Sequence, residues 1–201
     1  MGPCRAHRQR RPWALEHLHA ARAACGRPLR VLSYACGPEH TLRTWTTTAP
    51  DTTVHLYDTE PRALQWCDDR FRDQGTGVHT HTLNPNELVD GSADVSAAAP
   101  ADVALVLGLF DYLTPEAIGA LVDRLVGVLA PGGRLLCTNG HVTNPWRVFM
   151  EYLGAWQVQH RGLDELAAMV VRGRSDLQVI DARLDDSGTN AYVAIQRRVA
   201  L

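Results

Sequence analysis

The sequence predicts an α/β protein built on a doubly wound, mostly parallel sheet, and three observations lead there. Across residues 30–42 a short apolar run with Val31 and Leu32 gives way to the small residues Ala35, Cys36 and Gly37, and a helix-compatible stretch follows Pro38. About 20 residues further on, residues 53–57 alternate apolar and polar side chains and end at Asp58, where a second helical stretch begins. Residues 101–107 then form a continuous apolar run of the kind a central parallel strand, buried on both faces, requires. A strand, glycine turn and helix followed by an acidic strand end is the opening of a nucleotide-binding sheet.

Length and composition exclude several alternatives. The 201 residues suffice for one domain with a substantial core, and 45% hydrophobic content is ordinary for a globular protein. A net charge of −2 argues against a nucleic-acid surface, although all 20 basic residues are Arg. The absence of Lys from a chain rich in Ala, Arg and Gly reflects GC-rich coding more than function. Five cysteines (Cys4, Cys25, Cys36, Cys67, Cys137) without Cys-x-x-Cys spacing indicate neither a disulfide framework nor a zinc site, and read as reduced thiols of a cytoplasmic protein. No apolar run approaches the ~20 residues of a membrane span. The basic stretch 4–11 precedes no signal-type apolar core, so it reads as a mobile tail.

Taken in order, residues 12–24 space Trp13, Leu15, Leu18 and Ala21 for a helix that Gly26 and Pro28 stop. This helix either covers a ligand or packs on the sheet, and with the tail it makes residues 1–28 a unit preceding the sheet domain, 29–201. In the first turn, Gly37 allows close backbone approach to a ligand, and Pro38 suits a first helical position. Cys36 reads as a small residue packed beneath that loop. Asp58 fits two compatible roles, acceptor for both ribose hydroxyls of a nucleoside and cap of the next helix.

Residues 62–72 form that helix, closed by Gly75 and Gly77, and residues 78–83 a third strand. His79 and His81 share one of its faces without the carboxylate or third ligand a metal would need. Asn84, Pro85 and Asn86 read as a turn and residues 90–100 as a loop with at most one helical turn. Because ligands of open parallel sheets bind outside the carboxyl ends of the strands, Gly108 through Leu113 belong beside the pocket of Gly37 and Asp58. Thr114 caps a helix in which Ile118, Leu121, Val122, Leu125, Val126 and Leu129 keep the 3.6-residue period. A turn at 130–133 leads to a fifth strand, 134–138. Residues 144–155 read as a helix whose Phe149 and Tyr152, with Trp156 just beyond, are expected in the core. A helix at 163–171 and two strands, 177–182 and 191–196, joined through Asp185, Asp186, Ser187 and Gly188, complete the chain.

Residues 31–38, Asp58, the 107–113 segment and residues 129–136 together resemble the class I S-adenosylmethionine-dependent methyltransferases, over residues 29–195. Residues 108–113 and 138–152 are more narrowly similar to the bacterial subfamily annotated for making the methyl ester of 3-hydroxypalmitic acid. The resemblance implies a Rossmann-like sheet of seven strands, mostly parallel with the last antiparallel, and S-adenosylmethionine in its crevice. It implies cofactor contacts from Tyr34, Ala35, Cys36, Gly37, Asp58, Thr59, Gly108, Leu109 and Phe110. Around the reacting end it places Asp111, Tyr112, Asn139, His141 and Tyr152 as catalytic candidates. Histidine ordinarily titrates near neutrality, which makes His141 the first candidate base, with a helix cap as its alternative. The chain departs from the pattern at Ser33, where members often carry an acidic residue, and at Glu39, where they carry a further glycine. The first weakens contact with the methionine amino group, and the second supplies a replacement carboxylate.

Two chemistries share such a scaffold. The sulfonium methyl passes to a small acceptor, which needs no base if the acceptor is a carboxylate. Alternatively the sulfonium activates the cofactor's own aminocarboxypropyl chain, which closes to a small-ring amino acid and expels methylthioadenosine. A nonenzymatic S-adenosylmethionine-binding module is the third reading. Methyl transfer, the commonest chemistry of this fold, is the expectation; the expected partners are a small molecule, or S-adenosylmethionine alone, with no nucleic acid, metal or membrane, and the oligomeric state is open.

Overall fold

A computed structural model describes the backbone of residues 4–72 and 74–199, and side chains from Arg10 onward. Met1, Gly2, Pro3, Asp73, Ala200, Leu201 and the Cys4 thiol lie outside this description. The elements run α1 (Cys4–Cys25), β1 (Arg30–Tyr34), α2 (His40–Thr46), β2 (Thr53–Asp58), α3 (Pro61–Arg72), β3 (Gly77–Thr82), α4 (Pro85–Asp90) and β4 (Ala101–Leu107). Then follow α5 (Pro115–Val128), β5 (Leu129–Gly140), α6 (Arg147–Tyr152), α7 (Leu163–Val171), β6 (Leu177–Leu184) and β7 (Asn190–Arg197). Seven strands form one sheet in the order β3-β2-β1-β4-β5-β7-β6, all parallel except β7, which runs antiparallel to both β5 and β6. This is the sheet the resemblance implied.

Two apolar layers sandwich it. One joins Leu32, Ala104 and Val106 to the apolar stripe of α5 and to Leu166 and Val170 of α7. The other joins Val31, Val103 and Leu105 to Trp13, Leu18, Leu42, Trp45 and Phe71 from α1, α2 and α3. β4, buried on both faces over its first six residues, is the central strand its composition required. Among the described residues no helix is long and apolar enough to cross a membrane.

Several expectations are corrected. Residues 4–11 are helical and continue into α1; long-range contacts hold this helix, with Trp13 Nε1 donating to Asp181 Oδ2 (2.8 Å) and Arg183 bridging Asp181 and Glu16. Pro38 precedes α2 instead of opening it, because Glu39 is the N-cap and accepts from the Thr41 and Leu42 amides. Asn84 starts helix α4 through a reciprocal capping box with Glu87, where a turn was expected. The stretch 130–133 pairs within β5 as an irregularity opposite Ala101 instead of turning before it. Gly133 permits this: a Cβ there would stand 2.8 Å from Ala130 O and 3.0 Å from Ala101 O. Finally, α6 covers only six residues, and Phe149 (58% exposed), Tyr152 (82%) and Trp156 (44%) lie outside the core. An apolar stripe shows which side chains want cover; it does not show that the fold supplies it.

Candidate active site

The strand order reverses between β1 and β4, since the chain moves outward through β2 and β3 and then returns to the far side of β1. At such a switch point the loops after β1 and β4 part and leave a crevice above the strand ends. The loop after β1 is held by β2: Cys36 N donates to Tyr57 O (3.1 Å), and Gly37 N donates to Asp58 Oδ2 (2.7 Å). Ala35 and Gly37 both take left-handed backbone conformations, with φ of 50° and 51°. Glycine adopts this freely, whereas Ala35 is strained there. The other Asp58 oxygen accepts from Glu60 N (2.9 Å), and Glu60, not Asp58, supplies the side-chain contact to the start of α3.

Glu39 is the buried charge of the crevice, 5% exposed. One of its oxygens caps α2, and the other accepts from Ser33 Oγ at 2.6 Å. A carboxylate from the loop six residues later thus stands against Ser33 at the end of β1. Ser33, Ala35, Cys36, Glu39, Leu107 and Arg10 line a cavity of about 120 Å³ together with Pro38, His40, Thr41 and Arg11. Cys36 is half-buried and faces this cavity; the thiol beneath the loop is Cys67, fully buried, donating to Gly37 O (3.5 Å) and accepting from Glu39 N (3.5 Å). Tyr34 is buried, with its hydroxyl toward Asn84 O (3.4 Å) and its phenol pushed up by burial. Thr59 is exposed.

After β4, Gly108 (φ 104°) starts a 3₁₀ turn, Leu109–Tyr112, that carries the second wall. Leu109 is half-buried, and Phe110 is buried in the core. The Asp111 carboxylate accepts from Gly140 N at 2.6 Å. Burial pushes Asp111 up to about 6, against the lowering effects of that N–H and of the charges on Arg161 and Arg10.

Asn139 is fully buried, donating through Nδ2 to Gly140 O (2.9 Å) and Gln159 O (2.6 Å) and accepting from Arg161 Nη1 (2.6 Å). Arg161, 4% exposed, also donates to Phe110 O (2.7 Å) and Leu113 O. One guanidinium therefore ties the turn after β4 to the end of β5. His141 is buried, its backbone N–H on Thr189 O (2.8 Å) and its Nδ1 2.6 Å from Thr143 Oγ1 and 3.3 Å from the Thr143 amide. Thr143 Oγ1 also donates to Gly188 O (3.3 Å), so Thr143 holds the ring through Nδ1.

Asp111, Asn139 and His141 thus meet at the end of β5. Tyr112, 57% exposed, accepts from Trp156 Nε1 (2.8 Å) and ties the α6 segment to this rim. Tyr152 is not hydrogen-bonded to any of the other four among the described residues. Sequence reasoning missed Arg161, His160 (whose Nδ1 is buried without a partner among the described residues) and Arg10. The first two carried no local signal, and Arg10 lay within a basic run whose repetition concealed it.

Neither a protein-family profile nor a curated protein sequence matches this chain. Solved structures do. The chain is similar to the pyocyanin biosynthetic protein PhzM, at 15% identity and a TM-score of 0.67 over 85% of this chain and 51% of that one. It is similar to magnesium protoporphyrin IX methyltransferase (ChlM) from Synechocystis PCC 6803, solved with bound SAH, at 12% identity and 0.68 over 92% and 82%. An O-methyltransferase family protein from Burkholderia thailandensis gives 20% and 0.62 over 88% and 53%. The chain spans about half the length of the first and third. The fold is that of the class I methyltransferases.

Proposed function

We propose that this chain binds S-adenosylmethionine in the crevice between the loops after β1 and β4 and transfers its methyl group to a small-molecule acceptor. The observation that carries the reading is the pairing of Asp58 with the Gly37 loop at the switch point, beside the buried carboxylate of Glu39. The donor set fits the group. Asp58 offers acceptors to ribose hydroxyls, and Glu39 is a fixed anion where a cationic amino group needs one. The enclosed volume suits an amino-acid chain, with the nucleoside lying outward along Asp58 toward α4.

When bound, S-adenosylmethionine supplies an electrophilic methyl on a cationic sulfur. What the protein adds is position: the 3₁₀ turn after β4 and the end of β5, locked together by Arg161 and Asn139, form a rigid wall beside it. His141 is buried and held through Nδ1 by Thr143, which favours an acceptor that needs no base, such as a carboxylate. Phe149, Tyr152, Leu153 and Trp156 are exposed on the α6 segment, which Trp156 ties to Tyr112, and such apolar side chains suit an acid carrying an apolar chain. That acceptor class also agrees with the resemblance to the 3-hydroxypalmitic acid methyl ester subfamily.

The test is product analysis by mass. The protein is incubated with S-adenosylmethionine alone and with a panel of hydroxylated and plain fatty acids. Acceptor-dependent S-adenosylhomocysteine with an acid 14 mass units heavier, the mass of one added CH₂, supports methyl transfer to a carboxylate. Methylthioadenosine and a cyclic amino acid without any acceptor would replace methyl transfer by cyclisation. Failure to bind or consume the cofactor would reject both.

A further inference from the structure

The crevice holds an element that ordinary binding of a nucleoside does not explain. Arg10 on α1 reaches across to the end of β4, where Nη1 donates to Leu107 O (3.2 Å), and it lines the same cavity as Ser33, Cys36 and Glu39. Among the described residues that carbonyl is the one hydrogen-bond partner of a planar guanidinium that carries five donors and lines the cavity. Burial disfavours its charge, while Glu39 and Asp111 favour it. A half-buried cation with no ion-pair partner within 4 Å among the described residues is costly unless a ligand completes it.

The cavity is therefore dipolar. Glu39, fixed by Ser33 and the first turn of α2, places a negative charge on the β1 wall. Arg10, with exposed Arg11 beside it, places positive charge on the α1 wall. A short ligand that carries an ammonium and a carboxylate on one carbon matches both walls at once. A guanidinium also binds a carboxylate through two parallel N–H donors, which a lone ammonium does not.

We propose that Arg10 anchors the carboxylate of the cofactor's amino-acid end, with Glu39 across the cavity taking its ammonium. This rests on the S-adenosylmethionine reading above and assigns α1 a part in it: the helix closes the crevice through a ligand contact and not only through packing. Arg10 is a binding and positioning residue, since holding the carboxylate fixes the direction in which the methyl points.

Calorimetry with three ligands separates this from other roles. S-Adenosylhomocysteine carries both charges, decarboxylated S-adenosylhomocysteine keeps only the ammonium, and methylthioadenosine has neither. Arg10→Ala should weaken S-adenosylhomocysteine by at least about tenfold and leave the other two within about twofold, as expected for loss of a charge-assisted bond to one group. Arg10→Lys should recover part of the loss. Unchanged methylthioadenosine affinity also reports that α1 and the nucleoside site remain folded. An equal loss for all three ligands would make Arg10 a packing residue, and no loss for any would remove it from the site; either overturns the proposal while the cofactor reading stands. If the unaltered protein binds none of the three, the cofactor reading itself falls and this inference falls with it.

Discussion

Acidification should destabilise this protein through His55, by an amount that follows from its surroundings. His55 on β2 is 5% exposed and stacks on His79 (ring centroids 4.8 Å) and His81 (5.5 Å) of the edge strand β3. Its Nδ1 lies 3.3 Å from His81 Nε2, a contact that requires one ring to donate and the other to accept. Burial first, and then electrostatic repulsion from His79, His81 and Arg30, lower His55 to about 4. In the unfolded chain it titrates at its ordinary ~6.5. Between these values the unfolded state binds a proton that the folded state refuses, so stability falls as pH falls through the window and levels off below about 4.

At ~1.4 kcal/mol per pH unit the full effect is about 3 kcal/mol, a large share of a typical 5–15 kcal/mol domain stability. Urea unfolding of the unaltered protein and of His55→Leu, at steps from pH 7.5 to 4, isolates the term. The stability difference between the two should shrink, or move in favour of the variant, by about 3 kcal/mol across that range. A difference independent of pH would refute the reasoning; titrating groups remote from His55 cancel in the comparison, while His79 and His81, which touch it, belong to the same coupled effect.

Three further outcomes are expected. Asp58→Ala should weaken S-adenosylhomocysteine by roughly tenfold to a hundredfold in calorimetry, since each charge-assisted hydrogen bond is worth ~1.5–3 kcal/mol; unchanged affinity would remove Asp58 from the site. Arg161→Ala leaves Phe110 O, Leu113 O and Asn139 Oδ1 without their shared donor, and chemical denaturation should show a loss on the order of 3 kcal/mol; a change under ~1 kcal/mol would show that the guanidinium is not the strut described. A carboxylate acceptor needs no base, so Asp111, pushed up to about 6, should leave no mark on turnover, and Asp111→Asn should keep the pH profile of the unaltered protein; a limb near 6 that the variant loses would make Asp111 a base and count against a carboxylate acceptor.

What could be read from the sequence follows from where the determining contacts lie. β4, α5 and α7 were legible because their burial is written as continuous or 3.6-residue periodicity, and Asp58 because its distance from the glycine turn is set by one helix and one strand. The helical state of residues 4–11 was not legible, since α1 is anchored by Trp13, Glu16 and Arg10 to partners as far as 168 residues away. Arg161 and Asn139 sit 22 residues apart with no shared pattern, yet one bond between them organises the wall. His141, chosen for its ordinary chemistry, has its Nδ1 engaged by Thr143, a local contact that residue type does not encode. Glu39 was foreseen as a replacement carboxylate, and its bond to Ser33 gives that expectation a geometry.

The central claim, that the switch point between β1 and β4 holds S-adenosylmethionine, is tested most directly by a crystal structure of the protein with S-adenosylhomocysteine. The account predicts ribose hydroxyls on the Asp58 carboxylate, the ammonium beside Glu39 and the carboxylate beside Arg10. A nucleoside bound elsewhere on the molecule, or one in this crevice whose ribose leaves Asp58 untouched, would contradict it.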